Sequence, residues 1–327
     1  MSRIRALFLG TPDIAKHCLE VMINDPHYEV VGVVTQPDRP AGRKLELQPS
    51  PVKKLAVQHN LPVLTPENIN TPEVLQQIEA LKAEVAVVVA FGQILRKPLL
   101  AMFLNRVVNV HASLLPHLRG AAPIQRALIN GDKQTGVCLQ VMVRKLDAGP
   151  ILGSRPIELS DEMNAYDLYK QCETLGAQLL TVDLMDYMRG NLTAVPQDES
   201  KVTFAAKIEK QEAEIDWNKS ATEIHNLIRG LAMGPVAQTR RQGKLLKIHK
   251  TRVLTTDGGS AALQPGQVNI PESQEKSLLV QCGKGTLELL DVQPESRGRM
   301  PIAEYLRGYP MRTGDAFSAH VKSEPRE

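Results

Sequence analysis

Ile4-Arg-Ala-Leu-Phe-Leu-Gly-Thr-Pro-Asp13 runs a strand-like apolar segment into a lone glycine and then into Pro12, a residue suited to a first helical turn. The junction decides the fold because it recurs. Val30–Thr35, Val85–Ala90 and Val107–His111 are further β-branched runs. Segments of helical period lie among them at Ile14–Asn24, Val52–His59, Pro72–Leu81 and Pro123–Asn130. Strands alternating with helices predict a doubly wound, mostly parallel α/β sheet, Rossmann-like in plan, with crossovers on both faces. Val137–Val143 and Ile151–Pro156 resemble a later antiparallel pair, and Ala165–Arg189 reads as one helix. In such sheets ligands gather beyond the carboxyl ends of the strands.

A dinucleotide site would ask for GxGxxG, so that the backbone can approach a pyrophosphate; only Gly10 is present here. The turn reads as a tight connection, and an oxidoreductase is disfavoured. The texture changes near Gly190. Asn191–Glu212 is polar and charged and reads as a linker; a short helix, Ala221–Leu231, follows it. Brief strand-like pieces come next, at Leu245–His249, Gly266–Asn269, Ser277–Cys282 and Thr286–Val292, with glycines and polar turns between them. They predict a small, OB-like β-barrel. The expected organisation is a catalytic domain over 1–190, a linker over 191–212, a barrel domain over 213–316 and a poorly ordered tail over 317–327.

Composition fits this plan. The chain has 327 residues, 43% apolar and 23% charged, ordinary for a two-domain globular protein. No apolar run approaches the ~18 residues of a membrane span. No signal-peptide pattern precedes the first strand, so a cytoplasmic location is expected, and nothing requires more than a monomer. Four scattered cysteines without CxxC spacing imply reduced thiols rather than a zinc site or disulfides, and no metal is expected.

The stretch Val108-Asn-Val-His-Ala-Ser-Leu-Leu-Pro-His-Leu-Arg-Gly-Ala-Ala-Pro-Ile-Gln125 carries the chemistry. If it begins as a strand, the two-residue period points Asn109 and His111 the same way. An amide NH2 and an imidazole N–H are suitable donors for a developing oxyanion, although each group alone could equally satisfy backbone at a strand end. Ser113 has a nucleophile's hydroxyl but no G-x-S-x-G elbow, and reads as a turn or capping residue. In Met142-Val-Arg-Lys-Leu-Asp-Ala-Gly-Pro150, Asp147 is either a hairpin residue accepting backbone N–H groups or a carboxylate that orients His111. Chain separation does not choose between them.

Asn109-Val-His111, Ser113-Leu-Leu-Pro116, Arg119-Gly-Ala-Ala-Pro-Ile-Gln125 and Leu146-Asp-Ala-Gly149 together resemble the folate-dependent formyltransferase family. Gly10-Thr-Pro-Asp13, Thr35-Gln-Pro-Asp-Arg-Pro-Ala-Gly-Arg43, Pro49-Ser-Pro-Val-Lys53 and Val89-Ala-Phe-Gly92 extend the likeness to its methionyl-tRNA branch. The resemblance implies transfer of a formyl group from 10-formyltetrahydrofolate to the α-amino group of initiator methionyl-tRNA, with Asn109, His111 and Asp147 as the catalytic trio. Folate is then a co-substrate rather than a resident cofactor. The implied folate contacts are Val89, Ala90, Phe91, Gly92, Ser113, Leu114, Leu115, Pro116, Leu146, Ala148 and Gly149.

The long Thr35–Pro49 loop carries Arg39, Arg43 and Lys44, and the resemblance places acceptor-end recognition there, with Arg43 foremost. Where relatives often carry another basic residue, this chain has Leu45-Glu46. From Ile224 to Thr256 the chain has seven basic residues and no acidic one. Such a run is often only a solvated face; on a small barrel it also suits phosphate contact, through Arg240, Arg241, Lys244, Lys247 and Lys250. Two other departures from the family pattern are Lys145, where relatives often have glycine, and Ala232-Met-Gly-Pro235, where an aromatic-proline turn is usual. The rival readings are a formyltransferase for a small amine and a catalytically idle tRNA-binding protein.

Overall fold

The structure is a computed structural model and describes residues 3–41, 46–254, 263–271 and 277–318. Two compact units emerge. The first holds the described residues up to Pro123, with Gln134–Glu158 and Leu168–Ala205. The second holds Ile124–Lys133, Leu159–Asp167 and the described residues from Ala206 onward.

In chain order the first unit contains β1 (Ile4–Gly10), α1 (Asp13–Asn24), β2 (Tyr28–Val34), β3 (Arg39–Ala41), β4 (Glu46–Gln48), α2 (Pro51–Gln58), β5 (Val63–Leu64), α3 (Pro72–Ala80), β6 (Val85–Val89), α4 (Lys97–Met102), β7 (Val107–His111) and β8 (Arg119–Gly120). After α5 (Pro123–Asn130) come β9 (Gln134–Val141), β10 (Ile151–Glu158), α6 (Ala165–Thr181), α7 (Asp183–Met188) and β11 (Phe204–Ala205). Seven strands form one sheet in the order β10-β9-β7-β6-β1-β2-β5. The five from β7 to β5 are parallel, and β9 and β10 add an antiparallel margin.

The expected doubly wound sheet is present. All five residues of β6 are buried, as a strand covered on both faces requires. One face packs Leu7, Leu9, Val88 and Phe91 against Leu75 and Ile78 of α3 and Leu99 of α4. On the other, a Cβ added to Gly176 of α6 would meet Val110 and Cys18. Prolines mark several helix starts (Pro51, Pro72, Pro98), where a missing N–H costs nothing. Helix α1 lacks a side-chain cap, and the Tyr169 hydroxyl accepts from the Ile14 N–H instead, at 2.8 Å.

Gly10 is a packing residue. A Cβ there would sit 2.6 Å from the Ala15 Cβ and 2.9 Å from the Val89 carbonyl. The turn that lacks a dinucleotide fingerprint is closed because α1 sits hard against the sheet.

Several expectations shift. Ala165–Arg189 is two helices broken at Val182, whose ψ is −69°. At the break Asp183 turns to pair with Arg155, 2.5 Å away. The Thr35–Pro49 loop contains a hairpin, β3 against β4. Its base is fastened by the Thr35 and Ser50 hydroxyls at 2.7 Å and by Lys53 donating to both Asp38 oxygens at 2.8 Å. Asn191–Glu212 is not a free linker: Val195 pairs with Ile151, and β11 pairs in parallel with β8.

The second unit contains α5, α8 (Ala221–Gly230), β12 (Gln238–Arg241), β13 (Lys244–Leu254), β14 (Val268–Asn269), β15 (Leu278–Gln281), β16 (Thr286–Pro294), β17 (Met300–Pro301) and α9 (Ile302–Gly308). Its antiparallel sheet runs β12-β13-β16-β15-β14, with β17 on β16, curled as a half-barrel. Ile224 and Ile228 of α8 enter its core beside Trp217, Leu246, Ile248 and Leu287. Ala316 bridges to Gln267 beside β14, and Ser318 bridges to Arg240 on β12, so one short segment laces both margins. Phe317, assigned from sequence to a tail, is 5% exposed and stacks on Trp217 at 5.8 Å between centroids.

Candidate active site

Asn109 and His111 lie on β7, paired across to Gln140 and Cys138 of β9 respectively, so all four side chains share one face. His111 is 6% exposed. Its Nε2 is 2.9 Å from the Leu118 carbonyl oxygen, which only accepts, so Nε2 carries the proton. Nδ1 therefore faces Asp147, whose Oδ2 is 3.8 Å away. Asn109 is partly exposed, and its amide hydrogen-bonds to no other described residue.

Asp147 reaches this face by an indirect route. The β9–β10 loop leaves level with the amino end of β7, where Met142 N–H donates to Val107, and folds back to Ile151 opposite Gln140. Close approach makes the fold-back possible: a Cβ on Gly149 would collide with the Val141 carbonyl. Asp147 itself takes a left-handed conformation, φ 46°. Its Oδ2 accepts from the Gly120 N–H at 2.9 Å and its Oδ1 from Gln140 Nε2 at 3.1 Å. Ala90 (φ 45°) and Leu118 (φ 59°) are also left-handed, and non-glycine residues in that region concentrate where a site over-determines its backbone.

The loop Ala90–Gly92 follows β6 at the switch point, where chain order moves from one side of β1 to the other. The Phe91 carbonyl accepts from Thr11 Oγ1 at 3.0 Å and from Gln36 Nε2 at 3.1 Å, which pins the loop beside β1. Ser113 is fully buried and donates to the His117 carbonyl at 2.5 Å, a turn-holding bond that leaves no free nucleophile. Burial pushes the Cys138 thiol up to about 11, which removes it as a nucleophile at neutral pH. Leu146 is exposed beside Asp147.

Sequence reasoning missed the supports. Gln140 and Gln197 are neutral amides with no periodic signature, and Gln197 fell within the supposed linker. Gln197 Nε2 donates to the carbonyls of Asp147 and Gly149 at 2.8 and 2.7 Å. Lys145, a departure from the family pattern, is 2.5 Å from Glu199, which also binds Arg119 at 2.8 Å. Hydrogen bonds from Arg119 and then Lys145 hold the Glu199 carboxyl down at about 2.

The basic residues separate into groups. Arg39 pairs with Glu67 at 2.6 Å. Arg43 and Lys44 lie outside the described residues. Arg241 donates to the carbonyls of Tyr309 (3.0 Å) and Pro310 (2.5 Å), so its guanidinium ties β12 to the chain after α9. Arg240 donates to the Gly243 carbonyl at 3.2 Å. Among the described residues Lys244, Lys247 and Lys250 form no ion pair. No group of three or more His, Cys, Asp or Glu side chains that could hold a metal occurs among the described residues, and no helix among them is long and apolar enough to cross a membrane.

The chain matches the formyl transferase family model over residues 2–184 and the formyl transferase C-terminal domain over residues 207–310. A methionyl-tRNA formyltransferase of Bdellovibrio bacteriovorus is 55% identical over 317 residues, 96% of this chain and 99% of that protein. The chain belongs to the methionyl-tRNA formyltransferase family. Another member, from Streptococcus thermophilus, is 41% identical over 315 residues, again 96% of this chain and 99% of its own. An N-formyltransferase from Helicobacter canadensis, solved with folinic acid and dTDP-3-aminofucose, shares the fold: TM-score 0.66 at 18% identity, covering 89% of this chain and 100% of that one. Membership makes this chain a formyl-transferring enzyme, and the family's two-part plan coincides with a parallel-sheet unit followed by a half-barrel.

Proposed function

We propose that Asn109, His111 and Asp147 move the formyl group of 10-formyltetrahydrofolate onto the α-amino nitrogen of initiator methionyl-tRNA. The observation that carries the reading is the facing of His111 Nδ1 and Asp147 Oδ2 at 3.8 Å, beside the Asn109 side-chain amide, which has no hydrogen-bond partner among the described residues. That spacing is wider than a hydrogen bond, and a substrate atom above the pair can reach both groups.

The neutral amine, whose ordinary pKa near ~7.7–8.0 leaves a useful fraction deprotonated at pH 7, places its lone pair on the formyl carbon. Negative charge grows on the formyl oxygen, where the Asn109 NH2 and the Nδ1–H of protonated His111 donate to it. Asp147 stabilises that imidazolium and assists removal of the proton from the attacking nitrogen, directly or through water. The carbon–nitrogen bond to the folate N10 then breaks, its electron pair stays on N10, and N10 takes up a proton. No covalent enzyme intermediate is needed, which fits the bonded hydroxyl of Ser113 and the raised thiol of Cys138.

The folate contacts are the pinned loop Val89–Gly92, Ser113–Pro116 and the Asp147 loop, with the ring system held mostly by backbone groups. On the barrel, Lys244, Lys247 and Lys250 meet tRNA phosphates and position the acceptor without reading bases. Arg39, Arg43 and Lys44 serve the acceptor end, and Arg240 and Arg241 shape the barrel face around the three lysines. One chain supplies every catalytic group, so a cytoplasmic monomer suffices.

Incubation with 10-formyltetrahydrofolate and, in parallel, charged initiator tRNA, free methionine or an amino-sugar nucleotide tests the reading. Formylation is expected on the charged tRNA alone. Preferential formylation of a small amine would sink the proposal.

A further inference from the structure

We infer that Gln197 is a positioning residue for the catalytic carboxylate, its orientation imposed by the buried Arg119; the inference rests on the catalytic reading above. The carboxamide of Gln197 is bonded at both ends. Its Oε1 accepts from Arg119 Nε at 3.1 Å and from a second Arg119 nitrogen at 2.7 Å. A guanidinium has donors only, so the oxygen must face Arg119 and the NH2 must face the other way. There it donates to the carbonyls of Asp147 and Gly149, on either side of the catalytic turn.

Asp147 occupies a left-handed conformation that a side-chain-bearing residue leaves readily unless its surroundings hold it. Gln197 holds the backbone of that turn. The residue after Arg119 holds its carboxylate, through the Gly120 N–H. Arg119 is 1% exposed and pairs with Glu199 at 2.8 Å, two positions along from Gln197. Arg119 thus orients Gln197 directly, while the Gly120 N–H beside it is set by the pairing of β8 with β11. Gln140 extends the support from β9, with its Nε2 on the Asp147 carboxylate and its Oε1 3.5 Å from Gln197 Nε2.

Gln197→Glu separates this role from a plain structural one. Glutamate keeps, and strengthens, the acceptor toward Arg119, but it presents an oxygen to two carbonyl oxygens. A displacement of about 1 Å at a reacting group typically costs about a hundredfold in rate. We expect kcat for formylation of charged tRNA to fall about 30- to 100-fold in Gln197→Glu and in Gln197→Ala alike, with KM for the tRNA within about twofold of wild type. The thermal midpoint of the glutamate variant should stay closer to wild type than that of the alanine variant. Hydrogen exchange of the peptide spanning Val143–Gly149 should quicken about tenfold in the glutamate variant, since the turn has lost its donor.

Near-wild-type kcat in Gln197→Glu would overturn the inference, because a partner for Arg119 would then be all that the site requires. A lowered kcat with unchanged exchange would overturn it as well. Failure of the wild-type protein to formylate charged tRNA would remove the catalytic reading instead, while the exchange comparison still reports whether Gln197 holds the turn.

Discussion

Asp147→Asn alters charge and hydrogen-bonding sense while keeping the outline of the side chain. Both wild-type oxygens accept, from the Gly120 N–H at 2.9 Å and from Gln140 Nε2 at 3.1 Å. An amide has one acceptor, so one of the two donors must face an NH2. On the Gln140 side the conflict is repairable, because that amide can turn over at the expense of only a 3.5 Å contact with Gln197. The fold therefore loses about one hydrogen bond, ~1 kcal/mol, and the thermal midpoint about 2–4 °C. Chemistry loses more. The His111 and Asp147 side chains are 7% and 11% exposed, and unit charges at their 3.8 Å separation interact by about 4 kcal/mol at an effective dielectric constant of ~20. Most of that is felt only when the imidazole is charged, so a loss of about 3–4 kcal/mol in the barrier gives a rate ~10²–10³ lower. Single-turnover formylation with enzyme in excess, alongside tRNA affinity and thermal midpoint, measures each part. A rate within about tenfold of wild type at an intact midpoint would refute the role of the carboxylate.

Replacing Lys244, Lys247 and Lys250 together by alanine should weaken tRNA binding and reduce the slope of log affinity against log salt by about 2–3, with the single-turnover rate at saturating tRNA preserved. Filter binding across a salt series reads this directly, and an unchanged slope would take the barrel lysines out of the interface. Glu199, held at about 2 against an ordinary 4.5, contributes stability that is complete above pH 4.5 and disappears as pH falls toward 2. Glu199→Gln should therefore melt below wild type at pH 7, with the two curves converging across that window; parallel curves from pH 7 to pH 3 would rule out the ion-pair account. Burial raises the Cys18, Cys172 and Cys282 thiols to about 12 and Cys138 to about 11, so thiolate is scarce at pH 8. A disulfide reagent should react slowly with native protein and reach four equivalents on unfolding; prompt reaction of two native thiols would contradict the packing.

What was legible in the sequence was what carries a period. Apolar runs a strand long marked β1, β2, β6 and β7 of the parallel sheet, while the two-residue β5 carried too little to show, and two-residue alternation put Asn109 and His111 on one face. The break at Val182 left no such trace, because apolar residues continue at helical spacing through Leu184 and Met185, both buried. Asp147 was legible only by resemblance: its loop folds back from the far end of β7, and chain distance encodes none of that. The supports were hidden for a different reason. Gln140 and Gln197 act through neutral amides whose bonds to the Asp147 carboxylate, the Arg119 guanidinium and two backbone carbonyls follow no period in the chain, and a polar, proline-bearing segment around Gln197 looks like any exposed connection. Lys145, a departure when judged by family habit alone, gains an explanation in Glu199, which no pattern in the sequence placed beside it.

The lacing of the half-barrel by Ala316 and Ser318 has a consequence for anyone who shortens the chain. Removing residues from Asp315 onward would strip Trp217 of its stacked neighbour and leave β12 and the β14 margin with unpaired amides and carbonyls, the kind of bare strand that recruits a second molecule. Such a truncation should be lost to aggregation even though it removes none of Asn109, His111 and Asp147.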